Sequence, residues 1–255
     1  YNYEVVERAQ LTEPLPGIGE QVPGATYCPH DGHVNPLKLL RALHQGFQQH
    51  GGQYLPRNRV QRITPLSDGG CDITNSQDSV IARAQKVVLA AGLGSADLGD
   101  QLGLSIPIFP LQGQIVVTEA AAPLLPYPTN CVRQTDEGQF MLGASARDVG
   151  MDLTTRTGTL RDIADQCARA FPYLRQLRVQ RAWAALRIMT PDGYAVYQQS
   201  ASHPSAFSFA CHSGVTLAAM HAGEVSRWVI SGEIPADYHC FGAQRFDVQT
   251  TPTAH

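Results

Sequence analysis

Several things are missing from this sequence, and each absence narrows the field. No apolar run approaches the length of a membrane span, which takes about 20 consecutive apolar residues, so no transmembrane helix is expected. No C-x-x-C pair occurs: Cys28, Cys71, Cys131, Cys167, Cys211 and Cys240 are far apart. That spacing argues for buried or free thiols in a reducing compartment, with a cytoplasmic setting expected, rather than disulfides or zinc. Neither charge sign dominates. With 19 Lys and Arg against 22 Asp and Glu the formal net charge is −3, which argues against nucleic acid as the main partner. No metal site is expected at His30 and His33, and no internal repeat or low-complexity segment is visible. There is no evident signal peptide. The chain begins at Tyr1 rather than methionine, so further sequence upstream of Tyr1 is expected.

What is present is a chain of 255 residues, 43% hydrophobic, enough for one large domain or two small ones. Residues 1–34 are rich in Pro and Gly and read as an irregular lead-in, with one short amphipathic piece near Val5–Leu11. Asn35 then caps a helix whose first position is Pro36. Leu39, Leu40, Leu43 and Phe47 share one face, and Gly51-Gly52 stops it. Tyr54–Ile63, Gly70–Asn75 and Ser79–Ala84 predict short antiparallel strands. The run Lys86-Val87-Val88-Leu89-Ala90-Ala91-Gly92 differs. It is continuously apolar and ends in small residues, the pattern of a parallel strand buried on both faces whose end admits a ligand or a helix. A short helix over Ser95–Gly103 follows. Strand-like patterns occupy Gln114–Thr118 and Gln139–Ala144. Thr159 and Asp162 resemble a capping box opening a helix to Leu174. Three more strands are expected at Val179–Arg187, Gly193–Tyr197 and Ala206–Cys211, and a last helix over Val215–Ile230, closed by Gly232.

The most informative stretch is Phe209-Ala210-Cys211-His212-Ser213-Gly214-Val215-Thr216-Leu217-Ala218-Ala219. An apolar strand enters a tight turn and a helix follows. A helix start directs unpaired backbone N–H groups and the positive end of its dipole at whatever precedes it, and Gly214 lets a planar ligand approach the backbone. The segment suits a buried ligand that becomes anionic, such as a reduced flavin. It equally suits an ordinary strand–turn–helix in an α/β core, and its residues alone leave both readings open.

Five stretches together resemble the D-amino-acid-oxidase-type FAD-dependent oxidoreductases, nearest to the glycine-oxidase and sarcosine-oxidase-like members. They are Pro23–Tyr27 with Asp31–Pro36, Val87–Gly92, Pro110–Gln114, Trp183–Arg187 with Thr190–Gly193, and His212–Ala218, in the family's order across roughly residues 20–235. The resemblance implies a mixed fold, α/β with α+β. A partial FAD-binding, Rossmann-like domain (1–105 and 183–255) would carry an inserted antiparallel-sheet substrate domain (106–182). The family also opens with a strand and a G-x-G-x-x-G turn that holds the FAD pyrophosphate. Tyr1–His255 contains no such turn, so it would lie before Tyr1. This stretch by itself is expected to hold FAD weakly or not at all and to be inactive alone.

The same resemblance assigns roles. Arg187 matches the arginine that clamps a substrate carboxylate. A guanidinium supplies the planar fork for that contact at any working pH, and fixing the carboxylate orients the substrate Cα–H for reaction. Its alternative is a strand-end arginine in a surface ion pair. Ser213, Gly214, Val215 and Thr216 would line the pyrimidine edge of the flavin, the helix end stabilising negative charge there. His212 either packs under the flavin or satisfies the turn. Ala90, Ala91 and Gly92 would pass near the FAD ribose and pyrophosphate, and Val60 near the adenine. Gln112 and Gln114 lie where the family's chain passes the flavin, with Gln112 the candidate contact. Arg133, Arg147 and Met189 are candidates on the substrate side. Cys211 reads as a core thiol and Trp183 as core.

The implied activity is oxidation of the C–N bond of a small amino acid or N-substituted amino acid, with electrons passing to oxygen or to a partner subunit. Similar chains serve as catalytic subunits of hetero-oligomeric dehydrogenases of the opine, hydroxyproline and cyanide-forming glycine types. A flavin-free small-molecule-binding module on the same fold is the rival expectation.

Overall fold

The computed structural model describes residues 2–247. Tyr1 and residues 248–255, at the two ends of the expected domain ranges, lie outside the described residues. In chain order the elements are β1 (Glu4–Glu7), α1 (Arg8–Leu11), β2 (Gly24–Tyr27), α2 (Pro36–Gln49), β3 (Val60–Pro65), β4 (Cys71–Asn75), β5 (Val80–Ala84), β6 (Val87–Leu89), α3 (Ser95–Asp100), β7 (Phe109–Ala120), β8 (Val132–Gln134), β9 (Gln139–Gly143), α4 (Thr157–Ala170), β10 (Val179–Met189), β11 (Val196–Gln199), β12 (Ala206–Ala210) and α5 (218–231). They fall into two units, Tyr1–Tyr54 with Leu111–Leu186, and Leu55–Pro110 with Arg187–His255. Among the described residues no helix is long and apolar enough to cross a membrane.

The first unit is built on a four-stranded sheet in the order β10-β7-β9-β8, beside a small β1–β2 hairpin. Strand side chains alternate between faces, so Phe140 and Leu142 of β9 fall together. They join Val116, Val132, Leu11 and, from α4, Ile163 and Cys167 in one buried cluster. Helix α4 starts at Thr157 behind Arg156, which makes no side-chain cap, and not at the expected Thr159 capping box. Thr159 is buried and its Oγ1 accepts from Arg147 Nη1 at 2.8 Å: a tertiary donor has taken the hydroxyl a local cap would use. Pro172, which has no N–H and disfavours the helical region for the residue before it, turns the chain into a 3₁₀ segment. In α2 the cap is as the sequence indicates. Asn35 Oδ1 accepts from Leu37 N–H and Lys38 N–H. Its apolar stripe, however, is exposed at Leu40, Leu43 and Phe47.

The second unit holds two three-stranded sheets. The order β3-β4-β5 is antiparallel throughout. In β11-β12-β6 the first pair is antiparallel and the second parallel. The 86–92 run therefore does yield a parallel strand, but a short one with Val88 exposed, because β6 sits at the edge of its sheet and Val88 lies in an open cleft beside it. Strand β12 divides the core. Phe207 points into a cluster with Tyr197, Val225, Trp228 and Ile234. Ala206 and Ala210 point into another with Val87, Leu89, Leu102 and Leu104.

Ser208 falls by alternation on the Ala206 and Ala210 face. It is fully buried, and its Oγ has no hydrogen-bond partner among the described residues. A buried unpaired hydroxyl costs about 1–3 kcal/mol in lost hydration. Ser208→Ala removes that oxygen and leaves a methyl, so a gain of about 1 kcal/mol is expected in urea unfolding. A loss of stability would show that the hydroxyl has a partner.

Candidate functional site

The parallel pair organises the site. Val87 lies opposite Ala206 and Leu89 opposite Ser208, so both strands run off the same edge of the sheet. One continues into Ala90-Ala91-Gly92, the other into Cys211-His212-Ser213-Gly214. The carboxyl edge of parallel strands is where α/β sheets take ligands, since chain turns and helix starts collect there.

The first turn is closed by a residue that the sequence pattern marks only as the start of a helix. Ser95 is buried and its Oγ accepts from the Ala91 N–H at 3.0 Å, while the Gly94 N–H donates to Ala91 O at 3.2 Å. A serine four residues past the turn is the local signal for such a bond. Gly92 has φ +61°, and a Cβ there would stand 3.3 Å from Ile188 Cδ1. Glycine thus lets the end of β10, with Arg187 next to Ile188, come against this turn. A cleft of about 930 Å³ opens beside it, lined by Val60, Val88, Ala90, Ala91 and Gly94.

The second turn is exposed from His212 to Thr216. His212 Nδ1 is 3.2 Å from Ser213 Oγ. The first backbone bonds of the following turn run from Leu217 N–H to Ser213 O (3.0 Å) and from Ala218 N–H to Val215 O (3.2 Å). The N–H groups of Gly214, Val215 and Thr216 have no backbone acceptor among the described residues. A Cβ on Gly214 would meet only Cys211 Sγ, at 3.8 Å. The α-helical part of α5 begins at Ala218, three residues later than the sequence pattern indicates. The lead-in therefore remains a rank of donors outside the helical ladder.

Helix α5 has a π turn at His221–Val225, a feature frequent near functional sites. His221 Nε2 lies 2.9 Å from the Tyr197 hydroxyl. Burial pushes the Tyr197 phenol up to about 12 and lowers His221 from its ordinary value, so this pair is neutral at physiological pH. At the far end Lys86 Nζ donates to Val229 O and Ile230 O, both at 2.6 Å. This cation suits the negative end of the helix dipole. Gly232, at φ +86°, closes the helix with its N–H on Trp228 O.

Arg187 and Met189 are half-buried at the end of β10. The turn beyond them is clamped. Thr190 Oγ1 donates to Tyr194 O at 2.7 Å, and Asp192 Oδ1 accepts from Tyr194 N–H at 3.0 Å. Arg245 grips Asp192 with two donors, Nε to Oδ2 at 2.7 Å and Nη2 to Oδ1 at 3.0 Å. The Arg245 guanidinium holds the Asp192 carboxyl down at about 2. A depressed carboxylate stabilises the fold above its unfolded pKa, and that contribution is lost as pH falls from about 4 toward 2. Asp192→Asn should be less stable than wild type at pH 7 and should show a flatter loss of stability between pH 4 and pH 2. Parallel acid unfolding curves for the two proteins would remove this clamp from the account.

The structure thus collects Val60, Ala90, Ala91, Gly92, Arg187, Met189 and His212–Thr216 in one unit and leaves Gln112 and Arg133 in the other. Gln112 is fully buried. Its Nε2 donates to Asp152 O at 2.6 Å and its Oε1 accepts from Gln114 Nε2 at 2.9 Å. Its backbone pairs both ways with Arg147. Arg133 Nη1 donates to Val34 O at 3.1 Å and lies 3.4 Å from His33 Nδ1, tying β8 to the loop before α2.

Comparison with known proteins decides the family. The family described as FAD dependent oxidoreductase matches residues 1–228. This chain belongs to that family. An opine oxidase subunit from Rhizobium meliloti is 42% identical over 248 residues, 97% of this chain and 66% of that protein. The same opine oxidase subunit from Agrobacterium tumefaciens (strain Ach5) is 39% identical over 247 residues, with the same coverage. The chain therefore spans just under two thirds of the length of these relatives. Among solved structures, glycine oxidase from Geobacillus kaustophilus superposes with a TM-score of 0.84 at 23% identity, over 94% of this chain and 66% of that one. It shares the mixed α/β fold with antiparallel sheets. The residues of the second unit fit the family's FAD. The cleft at the Ala90–Gly92 turn falls within the 300–1,000 Å³ range usual for ligand sites, and the donors at Gly214–Thr216 suit an electron-rich ring edge.

Proposed function

We propose that this chain carries the flavin-facing and substrate-facing parts of an FAD-dependent oxidoreductase acting on the C–N bond of a small amino acid or N-substituted amino acid. The observation that carries the reading is the delivery of two turns, Ala90–Gly92 and His212–Thr216, to one edge of a parallel strand pair, with Ile188 of the Arg187 strand packed on Gly92. When bound, FAD supplies a two-electron acceptor for hydride from the substrate Cα. Val60, Ala90, Ala91 and Gly92 hold its nucleotide half in the cleft by apolar contact and close backbone approach. Ser213, Gly214, Val215 and Thr216 present backbone donors to its ring edge, where added negative charge is stabilised at no reorganisation cost. His212, bonded to Ser213, shapes that turn. Arg187 grips the substrate carboxylate with two parallel N–H donors and so fixes the Cα. Met189, two residues beyond Arg187, borders the substrate.

Two relatives carry the name of a subunit. This supports an electron route through a partner subunit rather than directly to oxygen. With the full-length gene product and an amino-acid substrate, an artificial acceptor should be reduced many-fold faster than peroxide accumulates in air. Peroxide formed in step with substrate consumption would instead make the protein a free-standing oxidase.

A further inference from the structure

A pair of thiols in the first unit has no part in the chemistry above. Cys131 ends the loop before β8, and Cys167 lies on α4. Cys167 packs against the Cys131 residue from α4. The Cys131 carbonyl accepts from Cys167 Sγ at 3.4 Å and from the Gly143 N–H at 3.0 Å. The loop is further set by Thr129, whose Oγ1 donates to Val132 O at 2.9 Å and accepts from Val132 N–H at 3.0 Å. Cys131 is thus held against α4 by bonds on both sides.

The two sulfurs differ in access. Cys131 is half-buried and lines a cavity of about 820 Å³, together with Thr129, Asn130, Tyr127 and Cys28. Cys167 is 1% exposed. A small solute entering the cavity reaches Cys131, whereas Cys167 is buried. They differ in acidity as well. The neighbouring Cys167 lowers the Cys131 thiol from its ordinary value, with Thr129 helping against the cost of burial, and Cys131, with burial after it, pushes Cys167 up. Both directions favour the thiolate, which is the nucleophile, on Cys131, the residue that lines the cavity.

We propose that Cys131 and Cys167 form a peroxide-responsive dithiol, Cys131 the attacking thiol and Cys167 the resolving one. The Cys131 thiolate attacks one oxygen of hydrogen peroxide; an S–O bond forms, the O–O bond breaks, and hydroxide leaves to be protonated by solvent. Cys167 sulfur then attacks the resulting sulfenic acid. An S–S bond forms, the S–O bond breaks, and the Cys167 proton leaves with the oxygen as water. Two thiols and one peroxide give one disulfide and two waters, the reversible rung of cysteine oxidation. The step does not depend on the flavin reading, because the peroxide is supplied from solution.

The test uses the full-length gene product, treated with hydrogen peroxide, quenched by alkylation and mapped without reductant. A Cys131–Cys167 linked peptide, lost on treatment with dithiothreitol, is expected. In Cys167→Ser the linked peptide should vanish and Cys131 should take a sulfenic-acid-specific dimedone label. Because that variant could misfold, the wild type provides a second measurement. Iodoacetamide at pH 7 should label Cys131 several-fold faster than the exposed Cys240. Recovery of both thiols free under doses that oxidise Cys240 would overturn the proposal. So would linkage of Cys131 to Cys28, or labelling of Cys131 no faster than Cys240.

Discussion

Arg187→Ala is expected to lower kcat/KM for a carboxylate-bearing amine by about two to four orders of magnitude while the flavin stays in place. Truncating one partner of a desolvated charge pair costs about 2–5 kcal/mol, and each 1.36 kcal/mol is tenfold in rate. The loss should be largest in kcat/KM, because in the proposed role the guanidinium both binds the carboxylate and sets the distance of the Cα from its hydride acceptor. Flavin content should not follow, since the donors proposed to hold the ring belong to Ser213–Thr216 and the nucleotide end is proposed to rest on apolar contact and backbone approach at Ala90–Gly92. Arg187→Lys keeps the charge but not the fork and should recover only part of the rate. A variant with undiminished kcat/KM for such substrates would remove Arg187 from the site. One that lost flavin together with activity would make it a structural residue.

Phe207→Ala should be the most damaging single change to stability. Phe207 is fully buried in β12 and stacks on Phe209 with ring centroids 6.1 Å apart, inside a cluster with Tyr197 and Trp228. Removing a buried phenyl ring costs about 3–5 kcal/mol through lost transfer energy and the cavity left behind. That is a large share of the roughly 5–15 kcal/mol typical of a folded protein. The same strand delivers the His212–Thr216 turn, so flavin retention should fall with stability. Phe207→Leu keeps most of the volume and should cost less than half as much. Chemical denaturation with fluorescence and flavin release read in parallel gives both numbers. A midpoint for Phe207→Ala within about 1 kcal/mol of wild type would contradict the packing described, given the cost expected of an emptied ring site.

The sequence is most legible where a local rule decides the outcome. Asn35 and Pro36 open α2 because a side-chain acceptor and a missing N–H suit the first turn whatever surrounds it. Gly232 closes α5 because only a left-handed residue fits there. The apolar run to Gly92 yields a parallel strand ending in a ligand-sized cleft. Legibility fails where a distant residue intervenes. Thr159 has the wording of a cap, but Arg147 holds its hydroxyl. The stripe of Leu40, Leu43 and Phe47 fixes a helical period without saying what, if anything, lies on it. The Tyr197–His221 pair joins a strand to a π turn, and no spacing rule announces either. Ser95 lies within reach of a local rule, yet its place at a helix start masks its second role as acceptor for Ala91. At the site itself, the residue types point to the chemistry. The unpaired donors at Gly214–Thr216 follow from a helix start there; that α5 begins at Ala218 instead of Val215 comes only from the structure.

The central claim is that one edge of the β6–β12 pair presents a flavin to a substrate held by its carboxylate. The most direct test is an anaerobic spectral titration of the purified full-length gene product, reconstituted with FAD. The account predicts a yellow protein whose visible flavin band bleaches on addition of a small amino acid or N-substituted amino acid, and not on addition of the matching amine without its carboxylate. A protein that stays colourless in the presence of FAD, or one whose flavin bleaches equally with and without the carboxylate, would contradict it.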